Sequence, residues 1–520
     1  MLQLTNRLLT FSSLALIITA SLATGCSKPP NPFIGERSMA FKGYEETVIG
    51  RKIKGMEMAH PDESGFTIIP NSVPAYTSRI MLTELAEKSL DLQYYIWEAD
   101  ATGRIFADRL IRAADRGVRV RLLVDDMNLS GSDATIASLD AHPQIEIRIF
   151  NPFSHRTSRY LDFLTNMKRI NHRMHNKIMV MDNTLAIVGG RNIGNHYFGV
   201  DTHANFRDLD IAAAGPVVRE VSGTFDRFWN SDWSVPIETL VDRPYTQADL
   251  QKAINVMRQN IAEDDYPYPL DEDVAGLKSE LETIIGGLIW APGRIIWDDP
   301  VTFDGQLGDD TIDRKFYEKL ATIKEEILVE SAYFVTRERG LEMAKKLHDR
   351  GVKIRILTNS MVSNDVLAAH AGYAKQRVEL VKNGVELYEL RPDAGNIRNT
   401  GRQAIVSTES MAALHTKAMV FDRDSVFIGS FNLDPRSANI NTEAGLYVES
   451  PELAQQVIAF LDEGVTPENS YRVTLDEKGD LVWITEIDGK EVRYGKDPDS
   501  TFWQRFMSGF IQMLPVQGQL

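Results

Sequence analysis

Cysteine is almost absent. The 520 residues hold one, Cys26, so the body of the chain has no pair from which a disulfide could form. Positive charge is also in deficit, with 57 Lys and Arg against 73 Asp and Glu, a net charge of −16. An acidic surface repels phosphate backbones and gains nothing from counterion release, which tells against a nuclease or other nucleic-acid partner without excluding a local basic groove. The N-terminus lacks a comfortable membrane span, because the apolar run from Leu8 to about Leu22 is short and rich in Ser and Thr. Otherwise the composition is that of a folded globular protein, 43% hydrophobic and 25% charged. The length favours two or three domains.

The opening MLQLTNRLLTFSSLALIITASLATGCSKPP reads as an export signal, with Arg7 ahead of the apolar run. The small residues before Cys26 resemble the lipobox of bacterial lipoproteins, although Ala23 stands where Leu is commonest. That resemblance implies that Cys26 becomes the acylated first residue, whose chains anchor an otherwise soluble protein to a membrane surface. An ordinary secretory signal with an incidental Cys is the alternative. Ser27, in place of Asp, implies by the same resemblance sorting to the outer membrane of a bacterial envelope, periplasmic face, ahead of the inner membrane. Residues 1–25 are thus assigned to the signal and 26–70 to a polar tether and lead-in.

Beyond the tether the chain says the same thing twice. SLDLQYYIWEAD (89–100) reads as a buried strand, GRIFADRLIRAADRG (103–117) as an amphipathic helix closed by Gly117, and VRVRLLVDD (118–126) as a second strand. ILVESAYFVT, GLEMAKKLHDRG and VKIRILTNS repeat that order over 327–360. RGVRVRLL and RGVKIRIL match almost residue for residue. This is a duplication at domain scale, and alternating strands and helices imply an α/β layered fold.

A polar set is duplicated with the scaffold. HNKIMVMDNTLAIVGGRN carries His175, Lys177, Asp182, Gly189 and Asn192; HTKAMVFDRDSVFIGSFN carries His415, Lys417, Asp422, Gly429 and Asn432. In HxK the His and Lys project from one face of a strand. A tight turn is expected at Asn183-Thr184 and Arg423-Asp424, leading into a partner strand. Its Gly-Gly or Gly-Ser would let the backbone approach a ligand closely. Two such halves face to face would surround one pocket with two imidazoles and two ammonium groups. That collection suits a phosphodiester. One His can attack phosphorus to give a phosphohistidine, and the other can protonate the leaving alkoxide. Lys and Asn can hold the non-bridging oxygens. A carboxylate bonded to each His would fix its tautomer, with Asp208 of RDLDIAAA and Glu443 of NTEAGLYV as candidates. Asp182 and Asp422 fit the catalytic set less well and suit a structural role at the turn better.

HxKxxxxD followed by GGxN or GSxN, twice in one chain, resembles the phospholipase D superfamily. RMHNKIMVMD, GGRNIG and GSFNLDPRSANINTE resemble, within it, bacterial cardiolipin synthases of the class-C group. The resemblance implies two pseudo-twofold-related α/β/α sandwiches, at about 71–235 and 316–455, sharing an active-site cleft. It implies no metal or cofactor, and phosphatidyl transfer between phospholipid substrates, an accessory protein being conceivable. His175 would be the nucleophile and His415 the general acid and base. Where the family has Asp-Glu after GGRNIG this chain has Asn195-His196, which puts the choice of acceptor alcohol in question.

Residues 236–315 read as an insert with helical stretches and the peculiar GGLIWAPGRIIWDDP (286–300), whose Trp residues suit a core strand better than a lipid-facing lip. Residues 456–520 read as a strand-helix extension. Its TFWQRFMSGFIQMLP puts Phe502, Phe506, Phe510 and Met513 on one helical face, beside Trp503, Met507 and Leu514. Such a stripe is expected to dock on the protein itself, with a membrane-interfacial helix as the second reading. The rival functions are a phospholipase D-type hydrolase using water, a nucleic-acid phosphodiesterase, and a silent lipid-binding protein.

Overall fold

The computed structural model describes residues 35–264, 266, 274–304, 310–394 and 410–512. The signal segment, Cys26, the start of the tether, Met513 and Leu514 lie outside them. No helix among the described residues is long and apolar enough to cross a membrane.

Two sheets carry the fold, and their central six strands are the same sheet built twice. In the first half, Ser89–Tyr94 lies parallel to Arg119–Asp125, which is parallel to Ile145–Phe150. On the other side of Ser89–Tyr94 run three antiparallel neighbours, Ile178–Met181, Leu185–Gly189 and Asp210–Ala214. In the second half the parallel strands are Glu326–Ser331, Lys353–Asn359 and Val385–Leu390. Their antiparallel neighbours are Lys417–Phe421, Ser425–Gly429 and Ala444–Glu449. The strand-helix-strand repeat appears as expected. In the first copy Asp100 caps the helix Ala101–Asp115 by accepting from the Gly103 N–H, and Gly117 at φ +91° releases the chain into the next strand.

The two halves share one core. Val180, Val188 and Ile211 of the first sheet pack in a single cluster with Val420, Ile428 and Leu446 of the second. Two helices complete it, Pro216–Trp229 and Pro451–Gly464, each with proline in its first turn, where a missing N–H costs nothing. Each also reaches across, the first touching the strand Gly293–Trp297 and the second the strand Ser64–Ile69.

One expectation holds and one changes. The insert supplies the core strand expected at GGLIWAPGRIIWDDP, in two pieces. Ile289–Ala291 pairs with Ser64–Ile69 at the edge of the first sheet, and Gly293–Trp297 with Ala444–Glu449 in the second. These strands are three and five residues long and carry Trp290 and Trp297, both half-buried. The C-terminal helix Phe502–Gln512 does not dock by its aromatic stripe. Phe502, Trp503, Phe506, Met507 and Phe510 are all exposed, while Ser508 is buried and the helix packs on Leu367–Ala374. Its small-residue edge makes the closer approach.

Candidate active site

Each catalytic candidate is delivered by an exchange of backbone between the halves. Strand Met411–Leu414 pairs in parallel with Ala204–Arg207, Leu414 opposite Arg207. The next residues are therefore His415 and Asp208, side by side. The mirror arrangement joins Met174 to Thr442 as an isolated bridge, with the His175 N–H donating to Thr442 O at 2.9 Å. Its next residues are His175 and Glu443. Each imidazole is thereby held by a carboxylate of the opposite half: His175 Nδ1 lies 2.8 Å from Glu443 Oε2, and His415 Nδ1 lies 2.7 Å from Asp208 Oδ2. With Nδ1–H donated to the carboxylate, each Nε2 carries the free lone pair.

The site is buried and its charges act on one another. Desolvation and the ammonium groups of Lys177 and Lys417 hold both imidazoles well below the ordinary histidine range, and the charge of His175 adds to the lowering at His415. Both imidazoles are thus neutral at rest near pH 7. Burial lowers Lys177 well below the usual ammonium range and brings Lys417 down to about 8. Burial also raises both carboxylates, Glu443 to about 7, the lysines working in the opposite direction. An entering phosphodiester anion opposes these shifts at the imidazoles and favours protonation of the histidine that is to act as acid.

Lys177 and Lys417 each curl toward the carbonyl of the histidine two residues before, and Lys417 Nζ lies 3.0 Å from His415 Nδ1. Asn192 and Asn432 are both buried but differently engaged. Asn192 Oδ1 accepts from the Ile96 N–H and its Nδ2 donates to Tyr197 Oη, leaving one amide hydrogen for a ligand. Asn432 Oδ1 is buried with no hydrogen-bond partner. The glycines serve neighbours within the protein and not a ligand: a Cβ at Gly190 would stand 2.1 Å from Asp208 Oδ1, and one at Gly189 2.0 Å from Asp210 Oδ1. Where the second half has Ser430 in place of Gly190, its hydroxyl donates to Glu443.

Asp182 and Asp422 are remote from this cluster, at the far ends of their strands. Each opens a two-residue turn with its successor, Asp182-Asn183 and Asp422-Arg423, all four at φ between 50° and 58°. The turns thus begin one residue earlier than the sequence indicates, because Asp tolerates the left-handed conformation that Gly usually supplies. Asp182 accepts the N–H groups of Glu87, Lys88 and Ser89 at 2.7–2.9 Å, and Asp422 those of Lys324, Glu325 and Glu326. Both carboxylates are thus engaged with backbone N–H groups away from the histidines, as a role at the turn requires. Asp182→Ala is expected to lower unfolding free energy by about 2–4 kcal/mol in denaturant titration, with kcat nearly unchanged. The half-exposed Asp422 should cost less.

Several residues at the site escaped sequence reasoning. Ser430 braces Glu443, and Tyr95 and Tyr197 stand edge-on to His175 and His415 at 5.0 and 5.1 Å between ring centroids. Asp125 accepts from the Met174 N–H and pairs with Arg173 in full burial, fixing the segment that delivers His175. Its signal was the Asp-Asp ending the strand at 125–126. Asn195 caps the Ala101–Asp115 helix region by accepting from Thr102, and His196 reaches Asp201 at 3.3 Å. A cavity of about 590 Å³ between the first sheet and its helices is lined by neither His175 nor His415.

The family described as cardiolipin synthase, PLD-like domain, matches the chain at residues 80–229 and 317–463. Over 462 residues the chain is 38% identical to cardiolipin synthase C of Escherichia coli, spanning 88% of this chain and 96% of that one. An uncharacterized protein of Helicobacter pylori is 31% identical over 88% of this chain and 89% of its own. Among solved structures, phosphatidylserine synthase of Haemophilus influenzae shares the fold, with a TM-score of 0.50 and 14% identity over 79% of this chain and 90% of that one.

Proposed function

The chain belongs to the family of cardiolipin synthases with phospholipase D-like domains, and from that premise we propose that it is a phosphatidyltransferase making cardiolipin from phosphatidylglycerol and a second phospholipid. The observation that carries this reading is the crossed pairing of His175 with Glu443 and His415 with Asp208, which makes one site from two motifs. In the first step His415 has taken up a proton at Nε2 as the phosphodiester anion binds; Nε2 of His175 attacks phosphorus, the bond to the headgroup oxygen breaks, and His415 gives that oxygen its Nε2 proton. In the second, His415 takes the proton of a phosphatidylglycerol hydroxyl, that oxygen attacks phosphorus, and the bond to His175 breaks. Lys177, Lys417, Asn192 and Asn432 hold the non-bridging oxygens. Exported and acylated at Cys26, the protein would work at the surface of the cell envelope.

The purified protein, given phosphatidylglycerol with and without phosphatidylethanolamine, is expected to form cardiolipin and release glycerol or ethanolamine. Phosphatidic acid without cardiolipin would assign it to the hydrolases instead. The pH dependence follows from Lys417. Its charge is present below its lowered pKa of about 8 and lost as pH rises through it, so kcat/KM should fall above about pH 8.

A further inference from the structure

Seventeen large apolar side chains are exposed among the described residues, and ten of them fall in two short segments. One is the helix Tyr160–Thr165 with the start of the next, Met167–Asn171, presenting Tyr160, Leu161, Phe163, Leu164 and Met167. The other is the C-terminal helix Phe502–Gln512 with its five exposed aromatic and Met side chains. A soluble protein rarely leaves such residues clustered without a partner.

Both segments belong to the end of the molecule where the histidines meet. The first follows the carboxyl end of Ile145–Phe150 and runs on directly into His172–His175. It is tied across the cleft, where Arg436 donates to Asn171 O and Oδ1. The second packs on Leu367–Ala374, at the carboxyl end of Lys353–Asn359. Just before that helix, Asp365 accepts from Tyr333 Oη and acts electrostatically on Lys417. Thus each half contributes one exposed apolar helix, and Val366, at the start of Leu367–Ala374, adds a further exposed side chain.

We infer that these two segments form a bilayer-docking face that sets the mouth of the site against the lipid surface, so that substrate enters without crossing water. The inference rests on the phospholipid reading for its occupant. Charge agrees with it. In a chain of net charge −16, residues 155–169 carry Arg156, Arg159, Lys168 and Arg169 against Asp162 alone. Arg156 and Arg159 are paired with Asp126, but Lys168 is exposed beside Met167, and Arg505 is the one charged residue of the C-terminal helix. A surface of Trp, Tyr, Phe and Leu edged by cations is suited to the headgroup-acyl boundary of an anionic bilayer. An acyl anchor at the far N-terminus would hold the protein near a membrane but would not orient it.

The test uses the full chain and vesicles of phosphatidylglycerol containing lipid brominated on its acyl chains. Of seven tryptophans only Trp503 is exposed, at 68%, so it is the natural reporter. Its emission should be quenched by the brominated lipid, and Trp503→Phe should remove the quenched component. Phe506→Ser with Phe510→Ser, and separately Leu161→Ser with Leu164→Ser, should lower turnover of bilayer phosphatidylglycerol about tenfold. Turnover of dihexanoyl phosphatidylglycerol, dispersed as monomers, should be unchanged. Unquenched Trp503, or bilayer and monomer rates falling together, would overturn the inference. So would a vesicle-independent dimer that these substitutions dissociate, which would give the face to a second copy of the chain. Quenching of Trp503 in a protein that turns over neither lipid would refute the transferase reading and leave the docking face standing.

Discussion

Replacing His175 by alanine is expected to abolish turnover, by about 10⁴-fold or more, and to abolish covalent labelling by a phosphate-labelled phospholipid. His415→Ala should be comparably slow but chemically different. It lacks the group that takes the acceptor's proton, so the phosphohistidine, once formed, should persist, and label should accumulate on the protein. The two imidazoles are alike in burial, each bonds through Nδ1 to a carboxylate of the other half, and both are neutral at rest, so geometry does not by itself pick the one that attacks phosphorus. Labelled His175→Ala protein would reverse the assignment. Labelling of both variants would remove the covalent intermediate from the mechanism as drawn.

Glu443→Gln and Asp208→Asn should each cost about 10²–10⁴-fold in kcat with little change in fold. A carboxamide keeps the shape of the carboxyl group but can turn its NH₂ toward Nδ1. The imidazole then carries its proton on Nε2, where a lone pair is needed. Because the pairs cross between halves, Glu443→Gln should resemble His175→Ala and lose labelling, although residue 443 lies in the second half. Asp208→Asn should resemble His415→Ala and retain label. A Glu443→Gln protein that accumulates label would mean that the pairing in the working enzyme is not the crossed one, with quench-flow labelling as the measurement.

The duplication was legible because its carriers are local. RGVRVRLL and RGVKIRIL align by eye, and the polar residues of the two HxK motifs keep their spacing through a shared hairpin. What could not be read is which carboxylate serves which histidine. That follows from an exchange of backbone between segments more than 200 residues apart, and no local spacing encodes it. The turn position slipped by one residue because Asp182 and Asp422 take the left-handed conformation without glycine. Gly190 looked like room for substrate, whereas Asp208 occupies the space beside it. The tail misled for another reason. Helical periodicity reveals that Phe502–Gln512 has an apolar stripe, but not whether protein or something else covers it, and here Ser508 faces the body.

The exchange of backbone also bears on how such a chain could be regulated or divided. Widening the cleft by a hinge motion would pull Glu443 from His175 and Asp208 from His415 in the same movement, so neither imidazole could outlast the other. Two dead chains, one lacking each histidine, would have no means of rescuing one another in a mixture, because every working centre is assembled within a single polypeptide.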